Sequence, residues 1–137
     1  MSKTFVIQGL GYYTPRRVLT NADLERVVET SDEWIITRTG IRERHIVAPG
    51  EVLTDMALEA TKSALKQAGL TAKDLTHVVV ATVTPDSSVP SAGVVLAKKL
   101  GLEGIPAFDV NAACSGFVYA LEAARGLLAL HPEARIL

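Results

Sequence analysis

The single cysteine of the chain, Cys114, is the residue best placed to carry out covalent chemistry. It follows a predicted strand, residues 106–111, and precedes a long apolar helix predicted over Gly116–Leu130. Ala112 before it and Gly116 after it would let the backbone turn sharply and leave the path to the sulfur open. A helix N-terminus also favours the thiolate, the reactive form of cysteine. A lone cysteine is often a buried structural residue, so it is the strand-to-helix turn that favours the nucleophile.

A second group of residues is suited to binding. Residues 38–44 are polar and contain a glycine, which predicts an exposed loop whose arginines could serve an anionic ligand. Thr30 and Glu33 have the spacing of a capping box, which predicts a helical turn that carries Trp34. An exposed tryptophan offers a flat apolar face, and an arginine such as Arg38 suits phosphate binding or stacking. The sequence pattern alone favours a partly buried core residue for Trp34, so a binding role for it depends on the family resemblance given below.

The other candidate groups do not form a recognisable site. His45, His77 and His131 are far apart in the sequence and lack metal-ligand spacing, so no metal is expected. Residues 9–11, Gly-Leu-Gly, follow a predicted strand but lack the third glycine of a dinucleotide fingerprint. The formal net charge is -1 and aromatic residues are few, so no nucleic-acid partner is expected.

The composition is that of a globular domain, with 137 residues of which 48% are hydrophobic and 21% charged. One cysteine cannot form an intrachain disulfide, which predicts a reduced thiol and a cytoplasmic location. Residues 1–4 lead directly into a predicted strand and show no apolar core of a signal peptide. No apolar stretch is expected to be long enough to cross a bilayer, so no membrane partner is expected.

Strands and helices alternate along the chain. Strands are predicted at residues 4–9, 76–83 and 106–111, and helices at residues 22–30, 54–68, 91–100 and 116–130. The strand at 76–83 is almost entirely apolar and β-branched, which is typical of a strand covered on both faces. This alternation predicts a layered α/β fold with a largely parallel sheet.

Polar residues and glycines predict where the helices begin and end. Asn21 and Thr54 are expected to be N-caps of the first two long helices, and Gly69 and Gly101 are expected to follow the ends of two helices. Near the end of the sequence, residues 134–137 have the character of the first residues of a buried strand. Because such a strand needs a partner for its backbone groups, we expect the sequence to be part of a longer protein.

Six stretches of the sequence, in this order, resemble 3-ketoacyl-acyl-carrier-protein synthase III, a family of thiolase-fold condensing enzymes. They are Asn-Ala-Asp-Leu-Glu at 21–25, Thr-Ser-Asp-Glu-Trp-Ile at 30–35, Arg-Thr-Gly-Ile-Arg-Glu-Arg at 38–44, Val-Val-Ala-Thr at 79–82, Val-Pro-Ser-Ala at 89–92 and Pro-Ala-Phe-Asp-Val-Asn-Ala-Ala-Cys-Ser-Gly-Phe-Val-Tyr-Ala-Leu at 106–121. The resemblance implies the N-terminal half of a thiolase-like α/β fold, with a layered mixed sheet and helices on both faces. Residues 1–137 would form one half-domain, and the C-terminal half would be absent from this chain.

In this family the cysteine takes an acyl group from acyl-CoA and the acyl-enzyme then condenses with malonyl-acyl-carrier protein as the latter loses carbon dioxide. The resemblance therefore implies that Cys114 is the nucleophile of an acyltransferase that starts fatty-acid synthesis. It also implies that Trp34 and Arg38 lie at the CoA entrance, with Thr30 nearby. Acyl-CoA and malonyl-acyl-carrier protein are the implied partners, the CoA thioester is a substrate rather than a bound cofactor, and a homodimer is expected.

The histidine and asparagine that stabilise the enolate in this family belong to the C-terminal half, and no residue of this chain matches them. The chain alone is therefore expected to be inactive in condensation. Two other interpretations stay open at this point. One is a related thiolase-fold enzyme, such as a polyketide priming synthase or a hydroxymethylglutaryl-CoA synthase. The other is an inactive fragment that acts only as a folding or dimerisation module.

Overall fold

The computed structural model describes residues 5–137, which form two compact units. The smaller unit is continuous and consists of residues 14–51. The larger unit is made of the residues on both sides of that segment, up to residue 13 and from residue 52 to residue 137. The two units are described separately.

The smaller unit contains two short strands and two helices. In chain order they are β1 (Arg17–Thr20), α1 (Asn21–Leu24), α2 (Asp32–Thr39) and β2 (Glu43–Ile46). The strands pair antiparallel, with Arg17 opposite Ile46 and Thr20 opposite Glu43. The predicted loop at residues 38–44 is therefore wrong at both ends, because Arg38 belongs to α2 and Glu43 begins a strand. Residues 40–42 form the loop as predicted, and Gly40 ends α2 in a left-handed conformation with φ of 73°.

The first predicted helix is much shorter than expected. It ends at Leu24 instead of continuing to residue 30, and its N-cap is Thr20 rather than Asn21. The Thr20 hydroxyl accepts a hydrogen bond from the Asp23 N–H at 3.2 Å, and the Asp23 carboxylate accepts one from the Thr20 N–H at 3.0 Å. Val27 and Val28, which would have formed the apolar face of a longer helix, are both exposed. With no packing surface for that face in the smaller unit, the helix has little reason to continue.

The larger unit contains three helices and a parallel strand pair. The elements are α3 (Leu53–Ala68), β3 (Val78–Ala81), α4 (Ala92–Lys99), β4 (Ala107–Val110) and α5 (Gly116–Leu130), with 3₁₀ turns at Ala72–Asp74 and Ala113–Ser115. Val78 lies opposite Ala107 and Ala81 opposite Val110 in the parallel register. The predicted central and last strands are thus present, each shorter than predicted. The bounds of the last helix are as predicted.

Residues 134–137 pair with the other edge of β3, so their backbone groups have a partner within the described chain and the expectation that they lack one is wrong. Ile136 forms a parallel bridge with His77, and the Val79 N–H donates to the Leu137 carbonyl at 2.8 Å. Strand β3 therefore lies between β4 and these last residues. The core of the unit lies between β3 and α4, where Val78, Leu96 and Ala97 are buried. Burial of these apolar side chains, together with their partly buried neighbours, stabilises the layer of helix on sheet.

The first predicted strand is not present over residues 5–9. Its first residue, Thr4, lies outside the described residues. Met1–Lys3 also lie outside them, and the expectation of no signal peptide at this end falls on these residues. Residues 9–11 instead run close along α3. The Leu10 N–H donates to the Gln67 side-chain oxygen, and a Cβ atom at Gly11 would lie 2.1 Å from the Ala60 carbonyl oxygen. The segment packs on a helix rather than beside a strand, which explains why glycines interrupt its apolar pattern.

Helix α3 begins two residues earlier than its predicted cap requires. Its N-cap is Val52, and Thr54 is fully buried within the first turn instead. The Thr54 hydroxyl donates a short hydrogen bond to the Asp86 carboxylate and accepts one from the Lys99 ammonium at 2.7 Å. Thr54 therefore joins α3 to the loop after β3 and to α4. The predicted C-terminal glycine, Gly69, is confirmed with φ of 68°.

Helix α5 and the 3₁₀ turn before it form an apolar helical stretch of 18 residues, Ala113–Leu130. Its length and composition alone would allow it to cross a membrane, so the expectation that no stretch has this length is wrong. Core helices of larger proteins meet the same criterion. Helix α5 packs against β3 and β4 and carries an ion pair between Glu122 and Arg125, but most of its residues are exposed in the described chain.

Candidate functional site

Cys114 lies at a sharp turn between β4 and α5. It is exposed and is the middle residue of the 3₁₀ turn Ala113–Ser115, which runs directly into α5. Ala113 has a positive φ of 44°, a strained conformation for a residue with a side chain. The predicted sharp turn is therefore present, and the alternative of a buried structural cysteine is wrong for the described structure.

The start of α5 lies against the carboxyl end of the parallel strands. A Cβ atom at Gly116 would lie 3.3 Å from the Cβ atom of Ala81, the last residue of β3. The Thr82 N–H donates to the Val110 carbonyl at 3.2 Å, so the ends of β3 and β4 stay together. Cys114 follows at this same edge of the sheet. In parallel α/β sheets this edge is where ligands and reacting groups are usually located.

A carboxylate on β4 fixes the strand that leads to Cys114. Asp109 accepts hydrogen bonds from the N–H groups of Ala92 at 2.8 Å and Gly93 at 2.7 Å, at the N-terminus of α4. A carboxylate there satisfies unpaired donors and complements the helix dipole. Gly93 also lies against the backbone of Phe108, where an added Cβ atom would be 2.9 Å from the carbonyl oxygen. The sequence analysis missed Asp109, although a carboxylate within an apolar strand is a signal that could have revealed it.

The first turn of α5 has no side-chain cap within the described chain. Ser115 is the N-cap residue, yet its side chain accepts no hydrogen bond from the helix. N–H groups in that first turn can therefore serve an anionic or partly anionic oxygen close to the Cys114 sulfur. Within residues 5–137, no three His, Cys, Asp or Glu side chains lie close enough together to hold a metal ion.

Helix α2 in the smaller unit carries the predicted binding residues. Its N-cap is Ser31, whose hydroxyl accepts from the Trp34 N–H at 3.1 Å, so the predicted capping box between Thr30 and Glu33 is wrong by one residue. Trp34 is 54% exposed, which excludes the alternative of a core tryptophan. The guanidinium of Arg38, one turn later, lies over the indole at 5.0 Å from the ring centroid.

Two open grooves meet at the Trp34 side chain. One has a volume of about 240 Å³ and is lined by Glu29, Thr30, Ser31 and Trp34. The other has a volume of about 340 Å³ and includes Thr37 and Arg38 among its lining residues. The structure thus brings the three predicted binding residues to one surface of the smaller unit. Cys114 belongs to the larger unit.

The chain matches the family model described as chalcone and stilbene synthases, N-terminal domain, over residues 14–137. It is 54% identical over all 137 residues to a protein named beta-ketoacyl-[acyl-carrier-protein] synthase III from Nitratidesulfovibrio vulgaris strain DP4. This match covers 100% of the chain but only 42% of that relative, so the chain spans less than half the length of the curated protein.

Solved structures give the same picture of the fold. The crystal structure of 3-oxoacyl-[acyl-carrier-protein] synthase III from Aquifex aeolicus VF5 matches 95% of the chain, with a TM-score of 0.87 and 46% identity. The priming beta-ketosynthase of the R1128 polyketide pathway matches 89% of the chain, with a TM-score of 0.84 and 38% identity. The chain covers 42% and 36% of these two structures. The chain therefore has the fold of the N-terminal part of thiolase-like condensing enzymes, as its sequence predicts.

Proposed function

The chain belongs to the chalcone and stilbene synthase family, of which it carries the N-terminal domain, and on this premise we propose that it is part of a beta-ketoacyl-acyl-carrier-protein synthase III. The proposed enzyme is an acyltransferase that condenses a short acyl-CoA primer with malonyl-acyl-carrier protein and so starts fatty-acid synthesis. The observation that carries the proposal is the exposed Cys114 at the strained turn between β4 and α5.

The geometry at Cys114 suits acyl transfer from a thioester. In the proposed first step the Cys114 thiolate attacks the carbonyl carbon of acyl-CoA, the bond between that carbon and the CoA sulfur breaks, and CoA leaves as a thiol after taking up a proton. N–H groups of the first turn of α5 are close enough in the chain to stabilise the oxyanion that forms. Splitting the reaction at a covalent acyl-cysteine makes each step easier than direct condensation.

The second proposed step forms the new carbon–carbon bond. Malonyl-acyl-carrier protein loses carbon dioxide, the electron pair of the broken bond stays on the α-carbon, and this carbon attacks the acyl-cysteine. The Cys114 thiolate then leaves and is ready for another cycle. Stabilisation of the enolate needs donors that we assign to the part of the protein outside these 137 residues. We therefore propose that the chain can accept an acyl group but does not catalyse condensation by itself.

Trp34, Arg38 and Thr30 are proposed to bind the nucleotide end of CoA. The half-exposed indole offers a flat surface on which adenine can stack, and such stacking contributes about 1–3 kcal/mol. Arg38 supplies positive charge for phosphate at the groove of about 340 Å³, and Thr30 lines the neighbouring groove. CoA is then a substrate carrier, and no permanently bound cofactor is proposed.

The partners and location follow from the same proposal. Strand β4 pairs only with β3 within the described chain, so its other edge is available to a second copy in a homodimer. We propose a cytoplasmic enzyme without a membrane or nucleic-acid partner. In this proposal the exposed face of α5 is covered by the remainder of the protein, because it is the helix that begins at the nucleophile and packs on β3 and β4.

A second candidate is a priming synthase of polyketide synthesis, supported by the likeness to the R1128 priming beta-ketosynthase. It would use the same acyl-cysteine chemistry with a different carrier protein. A hydroxymethylglutaryl-CoA synthase and an inactive folding or dimerisation module are further alternatives, without an observation of their own in this structure. The solvent-exposed cysteine at a strained turn gives no advantage to a module that does no chemistry.

The test is acylation of Cys114 followed by condensation. The 137-residue chain is incubated with acetyl-CoA, and the acyl group is located by mass spectrometry of its peptides. Condensation is measured in a hybrid synthase, in which these residues replace the matching segment of the Nitratidesulfovibrio vulgaris relative. An acyl group on Cys114 and condensation by the hybrid with malonyl-acyl-carrier protein are expected. A hybrid that folds but never acquires the acyl group would overturn the proposal.

A further inference from the structure

We propose that Asn21 is a positioning residue that holds the ligand-binding helix α2 in place through hydrogen bonds at both of its ends. The inference concerns the orientation of Trp34 and Arg38, and it rests on the proposed function only in naming a CoA thioester as the ligand. Asn21, which the sequence pattern predicts to be a helix N-cap, is 1% exposed. A buried amide must satisfy its donors and acceptor within the protein, so its partners reveal what it holds together.

The two donors of the Asn21 amide reach the two ends of α2. Its nitrogen donates to the carboxylate of Asp32, the first residue of α2, at 2.7 Å. It also donates to the carbonyl of Ile41, which follows the C-terminal Gly40 of the helix, at 2.9 Å. One amide nitrogen therefore contacts a group from the first residue of the helix and a group just beyond its end. Trp34 and Arg38 lie between these two points, so a shift at either end would move them.

The side-chain oxygen of Asn21 connects the same amide to the β1–β2 strand pair. The Asn21 oxygen accepts from the Arg44 Nη2 atom at 2.9 Å, and Arg44 lies in β2. The Arg44 Nη1 atom is buried and has no hydrogen-bond partner in the described chain. Loss of the Asn21 oxygen would leave the inner face of this guanidinium still less satisfied. The amide is thus the point at which α1, α2 and β2 are connected.

The other hydrogen bonds of α2 each act at one end only. The Ser31 hydroxyl and the Glu25 carboxylate accept N–H groups at its beginning, from Trp34 at 3.1 Å and from Asp32 at 2.6 Å. The Thr39 hydroxyl donates to the Ile35 carbonyl at 2.7 Å at its other end. Of these bonds, only the one to Glu25, the C-cap of α1, connects α2 to another element, and it acts at the beginning of the helix alone. Asn21 is the residue whose loss should leave α2 helical and yet displaced.

The first measurement needs no ligand. Trp34 is the single tryptophan of the sequence, so its fluorescence reports directly on the position of α2. In Asn21→Ala we expect stronger quenching of Trp34 by acrylamide and lower anisotropy, because α2 is no longer held by Asn21 and the indole moves with the helix over a wider range. The matched control is Thr71→Val, which removes a Thr–Asp hydrogen bond in the larger unit. Trp34 quenching that is the same in Asn21→Ala, Thr71→Val and the unaltered chain would overturn the proposal.

A charge swap separates positioning from simple damage. Asn21→Asp places a second carboxylate beside Asp32 and removes the donor to the Ile41 carbonyl, so it should increase quenching. Asp32→Asn keeps an acceptor oxygen for the Asn21 amide and should change quenching little. In the double variant the amide of residue 32 can donate to the carboxylate of residue 21, whose two oxygens can also accept both Arg44 nitrogens. Trp34 quenching in the double variant should return toward that of the unaltered chain. Additive effects of the two substitutions would contradict the proposal.

The second measurement uses the hybrid synthase with acetyl-CoA. Asn21→Ala should raise KM for acetyl-CoA about tenfold, with kcat little changed. This factor corresponds to the free energy of about one net hydrogen bond, lost from ligand binding when Trp34 and Arg38 are displaced. The Asn21→Asp, Asp32→Asn double variant should recover only part of this loss, because its residue 21 cannot donate to the Ile41 carbonyl. Altered fluorescence with an unaltered KM would keep the structural part of the proposal but remove CoA as the ligand of α2. Unaltered fluorescence would reject the positioning role whatever the KM.

Discussion

The guanidinium of Arg38 lies over the indole of Trp34 at 5.0 Å, one helical turn along α2. Stacking of this kind holds both side chains in a defined arrangement before any ligand binds. The indole nevertheless remains 54% exposed, which leaves surface for a second flat partner. A ligand with a base and phosphates would meet an aromatic face and a cation that are already placed relative to each other.

Substitution of Trp34 by alanine in the hybrid synthase should weaken acyl-CoA binding by about 1–3 kcal/mol, the usual contribution of base stacking. KM should rise while kcat at saturating acyl-CoA changes little, because the stacked base is remote from the thioester. Trp34→Phe keeps a flat ring and should recover part of the affinity. A large fall in kcat with unchanged KM would contradict the assignment of α2 to the CoA entrance.

Substitution of Cys114 by serine should abolish acylation by acetyl-CoA and condensation by the hybrid. Because Cys114 is exposed and its substitution changes one atom, the free energy of unfolding should stay within about 0.5 kcal/mol. Mass spectrometry of the acylated chain and urea unfolding provide the two measurements. An acyl group that still attaches to the Cys114→Ser chain would show that another residue is the acceptor.

Gly11→Ala should destabilise the larger unit by about 1–3 kcal/mol or more, the usual cost of inserting atoms where there is no space. The new Cβ atom would lie 2.1 Å from the Ala60 carbonyl oxygen, and a backbone atom cannot move aside as a flexible side chain can. Gly126→Ala is the matched control, because nothing lies within 4 Å of its added Cβ atom in the middle of α5. This second change should stabilise by about 0.5–1 kcal/mol through helix propensity. Equal unfolding midpoints for the two variants would refute the close packing of residues 9–11 on α3.

The Asp55 carboxylate should make stability depend on pH in the acid range. The hydrogen bond from the Lys99 ammonium, and then that from the Val52 N–H, lower the pKa of Asp55 from its ordinary value of 3.8. Because the pKa of Asp55 is lower in the folded state, its carboxylate stabilises the fold fully above pH 3.8, the ordinary pKa. This stabilisation is lost as the pH falls through the pKa that Asp55 has in the folded state. The difference in urea midpoint between the unaltered chain and Asp55→Asn should therefore shrink in acid. In a Lys99→Met background the difference at neutral pH should be smaller, because the Val52 N–H alone then donates to the Asp55 carboxylate, and a difference independent of pH would contradict the linkage.

Local signals predicted the parts of the fold that depend on neighbouring residues. Gly69 and Gly101 end helices with φ of 68° and 72°, because glycine adopts this conformation without strain wherever it occurs. The apolar run of α5 and the small residues around Cys114 gave the last helix and the turn before it. In each case the physical cause lies within one or two turns of the residue concerned.

The predictions were wrong where the local structure depends on contacts between residues far apart in the sequence. Asn21 is a residue type that often caps helices, but its amide forms hydrogen bonds with Asp32, Ile41 and Arg44. Partners 11 to 23 residues away cannot be predicted from a local sequence pattern. Strands β1 and β2 contain charged residues and lack the alternation that marks a strand, so they were missed. Thr54 likewise exchanges its predicted cap role for hydrogen bonds to side chains 32 and 45 residues away.

In the sequence, the larger unit is interrupted by the smaller one, residues 14–51. This interruption affects the order in which parts of the chain can pack during synthesis. Residues 9–11 are synthesised first, yet their partners on α3, including Gln67, emerge from the ribosome only after the whole of residues 14–51. At about 5–20 residues per second this delay lasts seconds, which is long compared with the folding of a small unit. The smaller unit therefore has time to fold before α3, on which residues 9–11 pack, has been synthesised. Chaperones that bind nascent apolar segments would therefore meet Val6, Ile7 and Leu10 during that interval.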